Sequence, residues 1–186
     1  MKFKDSQLAH QYLDGLSGLE IGGSAHNPFN LNTKNVDYTD DMNTVFKQAE
    51  EKLCGDKMPV DIVASGDDLP IEDESLDFVI NSHTVEHFYN PIKAIREWLR
   101  VVKSGGYVFM IVPHKERTFD KDRPLTTIEE LEERQGKEMD IDTHCHYSVW
   151  NTQSFLEMCQ NFGFKVIDYQ DTDDKVGNGF TIVIQK

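Results

Sequence analysis

The strongest constraint on the fold is a helix followed closely by an uninterrupted apolar segment near the middle of the chain. Residues 91–102 repeat apolar side chains every three or four positions, with Asn90 as a candidate N-cap and Gly105-Gly106 just beyond the end. Residues 107–112 are then continuously apolar, as expected of a strand that helices cover on both faces. Short apolar segments and helical segments alternate along the rest of the chain. This alternation predicts a doubly wound α/β sheet.

The predicted elements fill most of the chain. Predicted strands cover residues 18–21, 35–38, 60–64, 76–80, 107–112, 165–169 and 179–184. Predicted helices cover residues 6–13, 40–52, 91–102, 127–135 and 152–161. About a dozen residues separate the first two strands, which leaves room for at most one turn of helix between them. Residues 113–148 are irregular and charged, and an insertion of this length after a strand is typical of a functional lid.

Size and charge exclude several classes of function. A chain of 186 residues is expected to form a single domain over residues 1–186. Lys and Arg total 19 against 33 Asp and Glu, a formal charge of −14, so nucleic acid is not an expected partner. The apolar runs are too short for a membrane span, so no membrane partner is expected. The N-terminus lacks a secretory signal and the three cysteines show no pairing pattern, which together favour a reduced, cytoplasmic protein.

Ligands of a doubly wound sheet bind at the carboxyl ends of its strands. Distinctive residues follow four of the predicted strands, at 20–23, Asp37, 65–70 and 81–87. The same part of the chain carries LPIEDESLDFV at 69–79, VEH at 85–87 and RVVKSGG at 100–106. The order and spacing of these segments resemble the class I S-adenosylmethionine-dependent methyltransferases, in particular the small methyltransferase-type-11-like variety. The resemblance covers about residues 18–112 and, by pattern only, 155–184.

This resemblance implies a mostly parallel, seven-stranded, Rossmann-like sheet with an antiparallel C-terminal strand and an insertion after the fifth strand. It also implies S-adenosylmethionine as the cofactor. A glycine turn lets the backbone approach the methionine part, a role that falls to Glu20, Gly22 and Gly23. The carboxylate of Asp37 would accept hydrogen bonds from both ribose hydroxyls. The further implied cofactor contacts are Ser65, Asp67, Asn81 and Ser82.

Two of these positions depart from the family's pattern. The segment EIGGSAH at 20–26 keeps only the first of the family's three spaced glycines. Ser65 stands where the family often has an acid that contacts the adenine, and Asp67 is the nearby substitute. His87 lies where the family has a packed, hydrogen-bonded histidine, which favours a structural role.

The implied activity is methyl transfer to a small-molecule acceptor, over which the insertion at 113–148 is expected to close. His114 directly follows the fifth strand and is the candidate catalytic residue, because a histidine of ordinary pKa near 6.5 can remove a proton from an attacking hydroxyl. Cationic residues in the insertion favour an anionic acceptor, such as a phosphorylated or nucleotide-linked sugar. They are Lys115, Arg117, Lys121 and Arg123.

Other functions stay open at this stage. A non-catalytic S-adenosylmethionine-binding regulator or partner subunit would explain the reduced glycine motif. A nicotinamide-dependent oxidoreductase is disfavoured, because the chain has no Gly-x-Gly-x-x-Gly motif. No metal site is predicted, since no spacing matches a known metal motif. The insertion nevertheless holds enough nitrogen and oxygen ligands for a divalent ion, at His114, Asp120, Asp122, His144 and His146.

Overall fold

The structure, a computed structural model, describes residues 1–137, 139 and 145–186. The described strands are β1 (Gly18–Ile21), β2 (Thr33–Asp37), β3 (Ile62–Val63), β4 (Leu76–Ser82), β5 (Val102–Pro113), β6 (Val166–Gln170) and β7 (Gly179–Gln185). The described α-helices are α1 (Gln7–Leu13), α2 (Val45–Cys54), α3 (Pro91–Val101), α4 (Ile128–Glu133) and α5 (Thr152–Asn161). The strands form one sheet in the order β3-β2-β1-β4-β5-β7-β6.

Strands β1 to β5 are parallel, whereas β7 runs antiparallel to both β5 and β6. The predicted doubly wound sheet with an antiparallel C-terminal strand is therefore confirmed. The carboxyl ends of β1, β2, β4 and β5 consequently lie along one edge of the sheet, and the amino end of β7 meets them there. This edge positions the candidate site.

Helices cover both faces of the sheet, which explains why β5 is continuously apolar. Val108, Met110 and Val112 pack with residues of α3 and α5 on one face. Phe109 and Ile111 pack with residues of α1 on the other face. Because side chains alternate between the two faces of a strand, both sets must be apolar.

Helix α3 confirms the prediction at its start but ends one residue earlier, and β5 follows without a loop. Asn90 caps α3 by accepting a hydrogen bond from the Lys93 N–H (3.1 Å). The strand predicted from residue 107 already begins at Val102, and its pairing with β4 shifts register near that point. Gly106 permits the close approach to β4, because a Cβ there would overlap the Asp77 carbonyl oxygen and lie 2.6 Å from Val102 Cγ1.

The bounds of α2 and β3 also differ from the prediction. The sequence predicts a helix from residue 40, whereas α2 begins at Val45, because the Thr44 hydroxyl accepts a hydrogen bond from the Lys47 N–H (3.2 Å) and caps the helix there. β3 keeps only two of the five predicted residues, since it is an edge strand that pairs with β2 alone.

No helix forms between β1 and β2 in the described chain, in line with the short spacing. Buried groups of α2 hold this connection instead. Glu50 Oε2 accepts hydrogen bonds from the N–H groups of Ala25 (3.1 Å) and Met58 (2.8 Å). Glu50 Oε1 lies 2.8 Å from Lys47 Nζ, and the two side chains are only 4% and 3% exposed. A buried ion pair thus fixes the loop that follows β1.

The insertion after β5 contains two 3₁₀ turns, Lys115–Arg117 and Phe119–Asp122, followed by α4. Thr127 and Glu130 form a capping box at the start of α4, which is shorter than the predicted helix at 127–135. His144 lies outside the described residues. None of the described helices is long and apolar enough to cross a membrane.

Candidate active site

Segments that follow the parallel strands enclose a cavity of about 630 Å³ at this edge of the sheet. Because the strand order is β2-β1-β4-β5, its lining runs from Asp37 through Gly22 and Ser82 to Pro113. The volume lies within the range of about 300–1,000 Å³ found for small-molecule and cofactor sites. Hereafter the β2 side means Glu20, Gly22, Gly23 and Asp37, and the β5 side means Glu86, His87, Thr118, Phe119 and His146.

The β2 side contains four of the predicted cofactor residues. Gly22 has a φ of 69°, a left-handed conformation that favours glycine, and its N–H donates to the Val36 carbonyl (2.8 Å). The Gly23 N–H donates to Asn35 Oδ1 (2.9 Å). The two glycines therefore form a fixed turn at the end of β1.

Two carboxylates complete the β2 side. Asp37 ends β2, and its Oδ1 accepts a hydrogen bond from the Tyr38 N–H (2.8 Å). Burial raises the pKa of Asp37 above its usual value. Glu20 is only 5% exposed, and burial raises its pKa to about 7. Both groups thus offer hydrogen-bond acceptors to a ligand in a partly desolvated setting.

The remaining predicted cofactor residues are spread over three environments. Ser82 lines the cavity, and its hydroxyl accepts a hydrogen bond from Asn27 Nδ2 (3.1 Å). Asn81 is fully buried in β4, and its side-chain nitrogen and oxygen have no hydrogen-bond partner in the part of the chain that the structure describes. The described lining includes neither Ser65 nor Asp67. Those two side chains hydrogen-bond each other in the loop after β3.

His114, the predicted catalytic residue, is also absent from the described lining of the cavity. Its Nδ1 accepts a hydrogen bond from the Glu116 N–H (3.1 Å), so the ring caps the first 3₁₀ turn of the insertion. The ring also packs edge-on against Phe180, with ring centroids 6.0 Å apart. Burial lowers the pKa of His114. This geometry assigns the ring a structural contact and gives the general-base hypothesis no support.

The β5 side centres on Glu86, which belongs to the VEH segment of the family resemblance but received no predicted role from the sequence. Glu86 lies in the 3₁₀ turn Val85–His87 after β4 and is 0% exposed, and its burial raises the pKa to about 8. Its Oε1 lies 3.7 Å from His87 Nε2 and 3.9 Å from His146 Nε2. Neither carboxylate oxygen accepts a hydrogen bond from the described residues.

Hydrogen bonds orient the two histidine rings toward Glu86. His87 Nδ1 lies 3.1 Å from the Cys145 carbonyl oxygen, and His146 Nδ1 lies 2.7 Å from Asp120 Oδ2. The ring planes are nearly perpendicular, with centroids 4.8 Å apart. The expected packed, hydrogen-bonded state of His87 is therefore present, but the ring also lines the cavity.

The insertion supplies part of the lining, as the lid hypothesis expects. Thr118, Phe119 and His146 line the cavity. The Phe119 ring packs against the His146 ring, with ring centroids 4.7 Å apart. The signal for this cluster in the sequence is the adjacent pair Glu86-His87 after a strand, together with the histidines of the insertion. The sequence alone did not predict that these side chains meet, because 58 residues lie between His87 and His146.

Comparisons with known proteins agree with this fold. The sequence family described as "Methyltransferase domain" matches residues 19–110. An uncharacterized protein of Methanocaldococcus jannaschii is 30% identical over 158 residues, which cover 83% of this chain and 67% of that protein.

Two solved structures share the fold at low sequence identity. A SAM-dependent methyltransferase from Aquifex aeolicus has a TM-score of 0.56 at 15% identity, covering 95% of this chain and 86% of its own. A SAM-dependent methyltransferase from Thermotoga maritima has a TM-score of 0.58 at 19% identity, covering 97% and 87%. With the sheet order, the strand-end cavity and the sequence matches taken together, the chain belongs to the class I S-adenosylmethionine-dependent methyltransferases.

Proposed function

We propose that the protein binds S-adenosylmethionine on the β2 side and methylates a small molecule held on the β5 side. The observation that carries this proposal is a single cavity shared by both sides. When bound, S-adenosylmethionine supplies an electrophilic methyl group. The chain's own task is then to hold an acceptor atom in line with that group and to exclude water, which is the main requirement of such a transfer.

The β2 side fits this cofactor chemically. Asp37 uses one hydrogen bond to the Tyr38 N–H and keeps lone pairs for the ribose hydroxyls. The turn at Gly22 leaves no side chain between the end of β1 and the ligand. The described lining contains the carboxyl groups of Glu20, Asp37, Glu50 and Glu86 but no Lys or Arg. A lining without Lys or Arg does not repel a ligand that carries the positive charge of a sulfonium.

The same charge balance argues for a neutral or cationic acceptor. The anionic acceptor expected from the sequence rests on four cationic residues of the insertion, none of which is part of the described lining. Arg117 pairs with Asp171 at 2.5 Å, and Arg123 pairs with Asp120 at 2.7 Å. Because neighbouring acids neutralise these two arginines, the arginines add little attraction for an anion in the cavity.

Calorimetry with the cofactor tests the proposal. Wild-type protein should bind S-adenosylmethionine or its demethylated product, and Asp37→Ala should weaken binding by about 10 to 150-fold, because hydrogen bonds to a charged group contribute roughly 1.5–3 kcal/mol. Asp40→Ala is the matched control, since this exposed acid lies three residues away and outside the described lining. Binding of a nicotinamide cofactor in place of both compounds would overturn the proposal.

A second assay separates an enzyme from a binding protein. Incubation with S-adenosylmethionine and pools of neutral or cationic small molecules should release the demethylated cofactor, measured by mass spectrometry. Cofactor binding without release for any pool would instead favour the non-catalytic regulator or partner subunit.

A further inference from the structure

We propose that Glu86, His87 and His146 bind a divalent transition-metal ion of the zinc class at the β5 side of the cavity. One ligand atom from each residue, a carboxylate oxygen or a ring nitrogen, lies within 4.8 Å of the other two. A tetrahedral ion with bonds of about 2.0–2.1 Å would place its ligand atoms about 3.3 Å apart. The observed distances of 3.7 Å and 3.9 Å from Glu86 Oε1 to the two Nε2 atoms exceed this by only about half an ångström.

The hydrogen bonds of the two rings decide which nitrogen atoms can bind an ion. A carbonyl oxygen only accepts, so His87 Nδ1 must donate its proton to the Cys145 carbonyl (3.1 Å). An ionised carboxylate also only accepts, so His146 Nδ1 donates to Asp120 (2.7 Å). In a neutral ring the Nε2 atom then carries the lone pair. The Nε2 atoms, which lie near Glu86 Oε1, are therefore the ligand atoms that the two rings would offer to an ion.

Supporting contacts of this kind are typical of metal-binding histidines. Such histidines usually donate their second ring N–H to a carboxylate or a backbone carbonyl, which fixes the ring. Asp120 is itself only 2% exposed, and its Oδ1 forms an ion pair with Arg123 Nη1 at 2.7 Å. Arg123 also donates to the His146 carbonyl oxygen (2.7 Å), so one arginine fastens both the histidine and its carboxylate.

Burial of Glu86 is an independent observation that points to a cation. The side chain is fully buried, and neither of its oxygens accepts a hydrogen bond from the described residues. A buried carboxylate without hydrogen bonds is costly, whereas a coordinated cation compensates its charge. Glu86 also lines the cavity, so an ion bound to it would be reachable by a ligand.

The ligand set selects the class of ion. Two imidazole nitrogens and one carboxylate oxygen suit zinc, cobalt(II) or iron(II), whereas magnesium and calcium prefer oxygen ligands alone. Three protein ligands leave at least one coordination position open, as in catalytic rather than structural zinc sites.

The role of the ion rests on the proposed function and narrows its acceptor to a hydroxyl or thiol compound. A hydroxyl or thiol group bound at the open position would lose its proton to water more readily. Methylation then forms a bond from that oxygen or sulfur to the methyl carbon and breaks the carbon–sulfur bond of the cofactor. The products are the methylated acceptor, the demethylated cofactor and the released proton.

Metal binding can be measured without any acceptor. Chelator-treated full-length protein should bind one zinc or cobalt(II) ion per chain, measured by calorimetry and by the visible absorption of bound cobalt. His146→Ala should lower the affinity at least 100-fold, and Asp120→Asn should lower it by about 10 to 100-fold, the usual effect of losing a carboxylate behind a histidine ligand. His10→Ala is the control that should bind normally, because its ring lies on α1 beside Asp14.

Circular dichroism and S-adenosylmethionine binding are recorded for every variant, so that a loss of metal is not confused with a loss of fold. Wild-type affinity for zinc in both His146→Ala and Asp120→Asn, or no zinc and cobalt binding by the wild-type protein, would overturn the metal site. Metal binding without cofactor binding would instead refute the proposed function and leave the metal site in place. The two proposals therefore fail by different results.

Discussion

The buried ion pair between Lys47 and Glu50 offers a sharp test of how the β1 loop is held. Lys47→Met removes the cation and leaves the Glu50 carboxylate buried at 4% exposure, with the N–H groups of Ala25 and Met58 as its remaining donors among the described residues. Removing one partner of a buried pair typically costs about 3–5 kcal/mol. Since small domains are stable by only about 5–15 kcal/mol, this change should lower the urea midpoint strongly.

A double-mutant cycle separates the ion pair from other effects of these substitutions. Glu50→Gln alone leaves Lys47 buried without its counter-charge, whereas the Lys47→Met/Glu50→Gln double variant removes both charges. The double variant should therefore cost clearly less than the sum of the two single changes, with a coupling of about 1–3 kcal/mol. Lys2→Met serves as the control, because Lys2 and Asp56 are 3.5 Å apart and exposed, and should change stability by less than about 1 kcal/mol.

Urea unfolding followed by circular dichroism measures the stability of the wild-type protein and of all four variants. Additive single changes, or a Lys47→Met variant as stable as Lys2→Met, would show that the two buried charges are not energetically coupled. The variants that lose the most stability should also bind S-adenosylmethionine most weakly, because Glu50 accepts a hydrogen bond from the Ala25 N–H next to the glycine turn.

Three further predictions concern single residues. Burial raises the pKa of Glu20 from 4.5 to about 7, so the folded state binds this proton more tightly than the unfolded chain does. The resulting stability is complete below about pH 4.5 and is lost as the pH rises through about 7. In the wild-type protein the free energy of unfolding should fall by about 3 kcal/mol over this pH range, whereas the Glu20→Gln variant should not show this loss. Urea unfolding at a series of pH values measures the difference. Gly106→Ala should destabilise the protein by about 1–3 kcal/mol in thermal or urea unfolding, through overlap of the added Cβ with the Asp77 carbonyl oxygen. His114→Ala should lower turnover of an identified acceptor by less than about tenfold, whereas loss of a general base would cost about 10²-fold to 10⁴-fold.

Local patterns predicted the fold well wherever the determining contacts are close in sequence. The N-cap at Asn90 and the apolar face of α3 lie within one helix, and both are present in the structure. The start of β5 and the length of β3 depend on pairing with distant strands. The register shift opposite Leu76 and the edge position of β3 leave no local signal, so those bounds differed.

The candidate site was only partly predictable, for the same physical reason. Asp37 and Gly22 follow strands directly, and strand order alone brings them to the cavity. The meeting of Glu86 with His146 depends on how the insertion folds back, which residue spacing does not encode. The capping role of His114 likewise depends on the turn that follows it.

A crystal structure of the protein with the demethylated cofactor bound would show directly whether the β2 side holds the cofactor. We expect the ribose hydroxyls to lie within hydrogen-bonding distance of the Asp37 carboxylate, with the cofactor's sulfur directed toward the β5 side. A cofactor bound outside the cavity, or one bound with its ribose away from Asp37, would refute the proposed function.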